Sequence, residues 1–130
     1  MNIYFQEIVD AHQLIMQILS TPHRSEENYR QLIARFSDQF SMITTTGVLL
    51  DYEKIKSFFN TQFGSKQGLK IDILDMNIVS ENENYIIVLY QEKQQIADGD
   101  PNFRFSTVIF KQVNNQIIWE YLHETLIHDF

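Results

Sequence analysis

The chain has 130 residues, the length of one ordinary domain, and carries ten Phe, six Tyr and one Trp from which to build an apolar core. A net charge of −7 argues against partners with phosphate backbones or anionic lipid surfaces, and a complete lack of cysteine excludes disulfides, thiolate nucleophiles and zinc–thiolate sites. No stretch approaches the ~20 apolar residues of a membrane span, so a cytoplasmic protein with neither nucleic acid nor membrane as partner is expected.

From Ile3 to Leu19 the apolar residues Phe5, Ile8, Val9, Ile15, Met16 and Leu19, with His12 among them, recur at helical spacing. Glu7, Asp10 and His12 interrupt that apolar stretch, and no basic leader precedes it, so it reads as a helix and not a signal peptide. Thr21-Pro22 ends it, because the residue before proline is pushed out of the α region. Ser25 then caps a second amphipathic helix, with Glu26 and Glu27 in its first turn and Tyr29, Leu32, Ile33 and Phe36 along it. A strand is expected over Phe40 to Thr46, with Val48-Leu49-Leu50 as its short hairpin partner across Gly47. Asp51 caps a third helix whose buried stripe is Ile55, Phe58, Phe59 and Phe63, and Gly64 and Gly68 bracket its exit.

Four β-rich runs follow: Leu69 to Val79, Asn84 to Glu92, Phe103 to Val113 and Gln116 to Ile127. Asn114-Asn115 between the last two suits the positive φ angles of a tight hairpin. Helices first and an antiparallel meander after them predict an α+β fold over residues 1–130, a single domain in which N-terminal helices pack on one face of a curved, mostly antiparallel sheet. Long strands curving around helices leave a cone-shaped cavity at one end, where a small molecule would sit.

Period-two alternation on the last strand groups Trp119, Tyr121, His123 and Thr125 on one face and Ile118, Glu120, Leu122 and Glu124 on the other. The aromatic face is the natural one to lie under the helices, which would aim His123 into the cavity as an acid, a base or a hydrogen-bonding group. Trp119 and Tyr121 are placed in the core or on the wall of the cavity beside it. Arg104 and Ser106 share one face of their strand, and there Arg104 would be a fixed cation for a carboxylate or enolate oxygen if the face is the inner one. Both faces of that strand are apolar, so the pattern leaves its orientation open; it also suggests that the outer face is covered by a second subunit, making a homodimer. His12, on the apolar face of the first helix, is placed in the core or at the lid of the pocket.

His123-Glu124 with His128-Asp129 does not make a metal site, because the two histidines are five apart on a strand and its tail instead of i and i+4 on a helix. No metal is assigned. No Gly-rich phosphate loop, nucleophile elbow or dinucleotide fingerprint occurs either, so no cofactor is assigned and kinase, serine-hydrolase and hydride-transfer chemistry are not expected.

Arg104-Phe105-Ser106-Thr107-Val108, then Trp119-Glu120-Tyr121-Leu122-His123-Glu124-Thr125, with Phe36 to Ile43, Gly47 and the Phe58-Phe59 helix upstream, resemble the nuclear-transport-factor-2-like (cystatin-like cone) superfamily. Within it the chain is similar to small bacterial domains grouped as SnoaL-like and ketosteroid-isomerase-like. The resemblance runs from about Phe36 onward and implies the cone fold, on which isomerases, dehydratases, cyclases and non-catalytic association domains are all built. The function expected is therefore a small-molecule-binding or association domain. The alternative is a cofactor-free lyase or isomerase with His123 as acid or base and Tyr121 or Arg104 steadying an oxyanion. An enzyme should bring two or more polar groups together in an open cavity, whereas a hollow plugged by Phe and Trp would favour a module.

Overall fold

The structure is a computed structural model and describes residues 1–128. The first helix, α1 (Ile3–Ser20), starts where the Asn2 side chain accepts hydrogen bonds from the amides of Tyr4 and Phe5, and ends at an extended Thr21 before Pro22. Its buried stripe of Ile8, Ala11, His12, Ile18 and Leu19 lies against the sheet and its companion helices. Helix α2 (Glu26–Ile33) has Ser25 as its cap, and α3 (Tyr52–Thr61) has Asp51, whose carboxylate accepts from the Lys54 amide. Among the described residues no helix is long and apolar enough to cross a membrane.

The strands are β1 (Phe36–Ile43), β2 (Leu49–Asp51), β3 (Leu69–Glu81), β4 (Tyr85–Ile96), β5 (Asn102–Val113) and β6 (Gln116–Leu126). They form one open sheet in the order β2-β1-β6-β5-β4-β3, antiparallel throughout except where β1 runs parallel to β6. The fold is α+β with helices on one sheet face, as the order of elements predicts. Asn114 and Asn115 both take positive φ in the β5–β6 hairpin.

Two boundaries differ by four residues from the sequence reading. β1 begins at Phe36, not Phe40, because Phe36 pairs with Trp119 of β6 and stacks near Phe40, ring centroids 4.6 Å apart. That tertiary pairing overrides a local sequence, Ser37-Asp38-Gln39, with little β preference. β4 continues past Glu92 to Ile96, since Glu92, Lys93 and Gln94 are held in register by both β3 and β5.

The end of α3 is pinned to the end of α1 by the hydrogen bond from the Gly64 amide to the Ile18 carbonyl, 2.9 Å. Gly64 has a φ of +71°, and a Cβ there would lie 2.5 Å from the Pro22 Cα, so only glycine fits. This close approach holds α3 over the open end of the helix-covered face, and a hollow remains beneath it.

Candidate functional site

The hollow has a volume of about 190 Å³ and is enclosed from four sides. Ala11, His12, Ile15 and Leu19 of α1 form its roof; Ile55, Phe58 and Phe59 of α3 close one side; Phe36 and Met42 of β1 and Leu50 of β2 close another. Trp119, Leu122 and Glu124 of β6, Arg104 of β5 and Glu92 and Gln94 of β4 make the floor. The walls are apolar and the floor is charged.

The inward side of β4 explains the floor. Ile86, Val88, Tyr90, Glu92 and Gln94 alternate inward along the strand and change from apolar to polar toward its end. Cross-strand register then sets Glu92 opposite Arg104, Tyr90 opposite Ser106, and Ser106 opposite Glu124, so the polar side chains meet in two neighbouring rows. His12 descends on them from α1. Its Nδ1–H donates to the Ile8 carbonyl at 2.8 Å, and its Nε2 lies 3.1 Å from Glu92 Oε1. The second Glu92 oxygen accepts from the Gln94 amide at 2.5 Å. Arg104 reaches Glu124 Oε1 at 3.4 Å through Nη1 and Asn102 Oδ1 at 3.1 Å through Nη2.

Both imidazole nitrogens of His12 face acceptors, and a carbonyl can only accept, so an ionised Glu92 favours the ring with two protons. Burial pulls the His12 pKa down, yet the charge of Glu92, its hydrogen bond and the Ile8 carbonyl outweigh burial and leave it above the ordinary value. Burial pushes Glu92 up, but the His12 charge and hydrogen bond, then Arg104 and Gln94, hold it at about 2. Glu124 goes the other way: burial, then the charge of Glu92, raise it, and Arg104 and His12 offset only part of that. Tyr90 stands well above its ordinary value, through burial first and then the charges of Glu92 and Glu124. The environments thus push two neighbouring carboxyls apart, Glu92 toward the anion and Glu124 toward the neutral acid. Among the described residues the Tyr90 and Ser106 hydroxyls and Arg104 Nε are buried without a hydrogen-bond partner.

The residues singled out from the sequence divide between the two faces of the sheet. His12, Arg104, Ser106 and Trp119 are on the inner side; His12, Arg104 and Trp119 line the hollow, and Ser106 is fully buried next to it. Trp119 is anchored by its Nε1–H, which donates at 2.9 Å to Glu7 Oε2, the same oxygen that takes Arg35 Nη1 at 2.6 Å. Tyr121 and His123 are not in the hollow, which corrects the expectation that alternation would aim them there. The register of β5 and β6 slips between Ile109–Tyr121 and Phe110–Trp119, leaving Glu120 as the extra residue of a β-bulge. A bulge exchanges the two faces of every residue beyond it. Leu122 and Glu124 therefore point inward, while Tyr121 and His123 meet on the outer face, the hydroxyl 3.2 Å from Nδ1.

Glu92, Gln94 and Glu124 were missed. The signal for the first two was the inward alternation from Ile86, which continues unbroken to Gln94; for Glu124 nothing in the local sequence marks the bulge. Among the described residues no group of three or more His, Cys, Asp or Glu side chains is arranged to hold a metal ion. Asp129, weighed as a metal ligand with His128, lies outside the described residues.

A model of the SnoaL-like domain matches residues 15–126. Among solved structures, an NTF-2-like protein of unknown function from Pseudomonas aeruginosa is 31% identical, with a TM-score of 0.88 over 96% of this chain and 98% of that one. A protein of unknown function with a cystatin-like fold from Nostoc punctiforme is 11% identical, with a TM-score of 0.71 over 96% of this chain and 92% of that one. The CaMKII association domain of C. elegans is 15% identical, with a TM-score of 0.69 over 94% and 95% of the two chains. The last two show a shared fold alone. No curated protein matches.

Proposed function

We propose that this chain, which belongs to the SnoaL-like domain family, binds a small molecule in the hollow under α1 and α3, apolar along most of its length and polar at the end that meets the floor. One observation carries this reading: four ionisable side chains, His12, Glu92, Arg104 and Glu124, are gathered at one end of an apolar cavity. Buried charges cost stability unless they are paired and fully hydrogen-bonded. A packed core would have replaced them, and among the described residues a hydroxyl pair and a guanidinium nitrogen are left without partners besides. A cavity of roughly 150 Å³ accepts a benzene-sized molecule, and this one is somewhat larger.

Trp119, the single tryptophan, forms part of the cavity wall and reports on its occupancy. A fragment library screened by tryptophan fluorescence and by amide chemical shifts should give ligands that perturb Ala11, His12, Glu92 and Arg104 together. Leu122→Trp, which fills the hollow, should abolish them. Ligands that bind the variant as well as the parent would defeat the reading.

The same proposal assigns the outer sheet face to a second copy of the chain. Ile87, Ile109 and Tyr121 form one cross-strand row there, with Leu89, Thr107 and His123 beside it and Phe105 next, and no helix of the described residues covers them. A protein of this fold that carries the name association domain is in keeping with such pairing.

A further inference from the structure

We propose that the ligand of this hollow is an anion, a carboxylate of about benzoate's size, whose oxygens engage the Arg104 guanidinium while Glu124 takes up a proton. The inference deepens the small-molecule reading above and rests on it. The Arg104 guanidinium is largely shielded, its side chain 14% exposed, but poorly partnered. Its Glu124 contact of 3.4 Å is longer than a charge-assisted hydrogen bond, its Asn102 contact is to a neutral oxygen, and Nε has no partner among the described residues.

Charge around the floor then decides what the site accepts. From α1 comes His12, from β4 Glu92 and the Tyr90 hydroxyl, from β5 Arg104 and Ser106, from β6 Glu124 itself, and Lys66 stands at the exposed mouth; α3 contributes only apolar side chains. His12 and Glu92 neutralise each other as an ion pair at 3.1 Å, and the second Glu92 oxygen is taken by Gln94. That leaves Arg104 against Glu124. With Glu124 ionised the floor is neutral; with Glu124 protonated it holds one cation and an added O–H donor. Burial and the Glu92 charge ease that protonation. An incoming carboxylate therefore takes the place of the Glu124 charge opposite Arg104, bidentate where Glu124 is not, and its binding is coupled to one proton.

The test titrates benzoate and neutral benzamide, nearly the same in shape, against Trp119 fluorescence, with calorimetry in two buffers to count protons. Benzoate should bind tighter than benzamide by about tenfold or more, with close to one proton taken up at about pH 7. Glu124→Gln, which mimics the neutral acid, should keep benzoate affinity and remove both the proton uptake and its pH dependence. Arg104→Gln should lose the preference for benzoate while still binding benzamide, with circular dichroism as the control for folding. Benzamide binding as well as benzoate, or Glu124→Gln losing benzoate, would overturn the anion assignment and leave the hollow a binding site. Failure of both compounds and of the fragment screen would remove the small-molecule reading itself.

Discussion

His12 Nε2 lies 3.1 Å from Glu92 Oε1, and this one contact ties the middle of α1 to strand β4 beneath it. Both side chains are almost wholly buried, so either charge left alone would have no water to turn to. His12→Ala and Glu92→Ala should each destabilise the protein by about 3–5 kcal/mol, measured by urea unfolding. The double replacement His12→Leu with Glu92→Met should cost far less than the sum, because no unpaired charge remains. Additive losses would show that the pair does not act as a unit.

The same pair shapes stability against pH. Glu92 is held at about 2 against an ordinary 4.5, so its contribution is complete above 4.5 and is lost as pH falls toward 2. His12 is raised above 6.5, so its contribution is complete below 6.5 and is lost as pH rises through its folded value. Glu124, also raised, works in the same direction as His12: it stabilises most below 4.5 and loses that as it ionises in the fold. The melting temperature should therefore peak on the acid side of neutrality, between 4.5 and 6.5, and decline both ways. Glu92→Gln should flatten the acid limb. A profile that rises steadily to pH values above His12's ordinary 6.5 would contradict the imidazolium assignment.

Most of the architecture is legible in the chain because its signals are local. Ser25 and Asp51 cap the helices expected of them, Pro22 ends α1, and Asn114-Asn115 turns the last hairpin. The floor of the site is less legible because its geometry depends on register between strands distant in sequence. Arg104 could face either way until β4 and β6 fix β5 between them. His123 looked poised for chemistry on strict alternation, and a single extra residue, Glu120, turned it outward and brought Glu124 in. A bulge of this kind leaves no local mark, since both faces of β6 carry residues that fit a sheet.

The bulge yields a direct contrast. His123→Ala removes an exposed side chain whose one hydrogen-bond partner among the described residues is the half-exposed Tyr121. Its stability change should stay within about 0.5 kcal/mol, and ligand-induced thermal shifts should persist. Trp119→Phe empties volume at the cavity wall and frees Glu7 from one of its two donors, so it should cost more, of order 1–3 kcal/mol. Loss of ligand shifts in the His123 variant would return that residue to the site and reverse the assignment of faces.

The outer face supplies the last expectation. Phe105 is 44% exposed although it lies on a central strand, between Gln91 of β4 and Thr125 of β6, and the rows beside it carry Leu89, Ile109 and Tyr121. Exposed apolar side chains in the middle of a sheet, away from its edges, are what a second sheet or a second copy covers. In a two-fold dimer each Phe105 would enter the interface once per subunit, so a charge there is introduced twice and desolvated twice. Phe105→Glu should therefore convert a dimer to a monomer in sedimentation equilibrium. It should leave the monomer's far-ultraviolet spectrum and the response of Trp119 to ligand intact, because the hollow lies on the opposite side of the sheet. A parent protein that sediments as a monomer across the accessible concentration range would refute the pairing outright. A variant that stays dimeric would move the interface away from these side chains, toward the edges formed by β2 and β3.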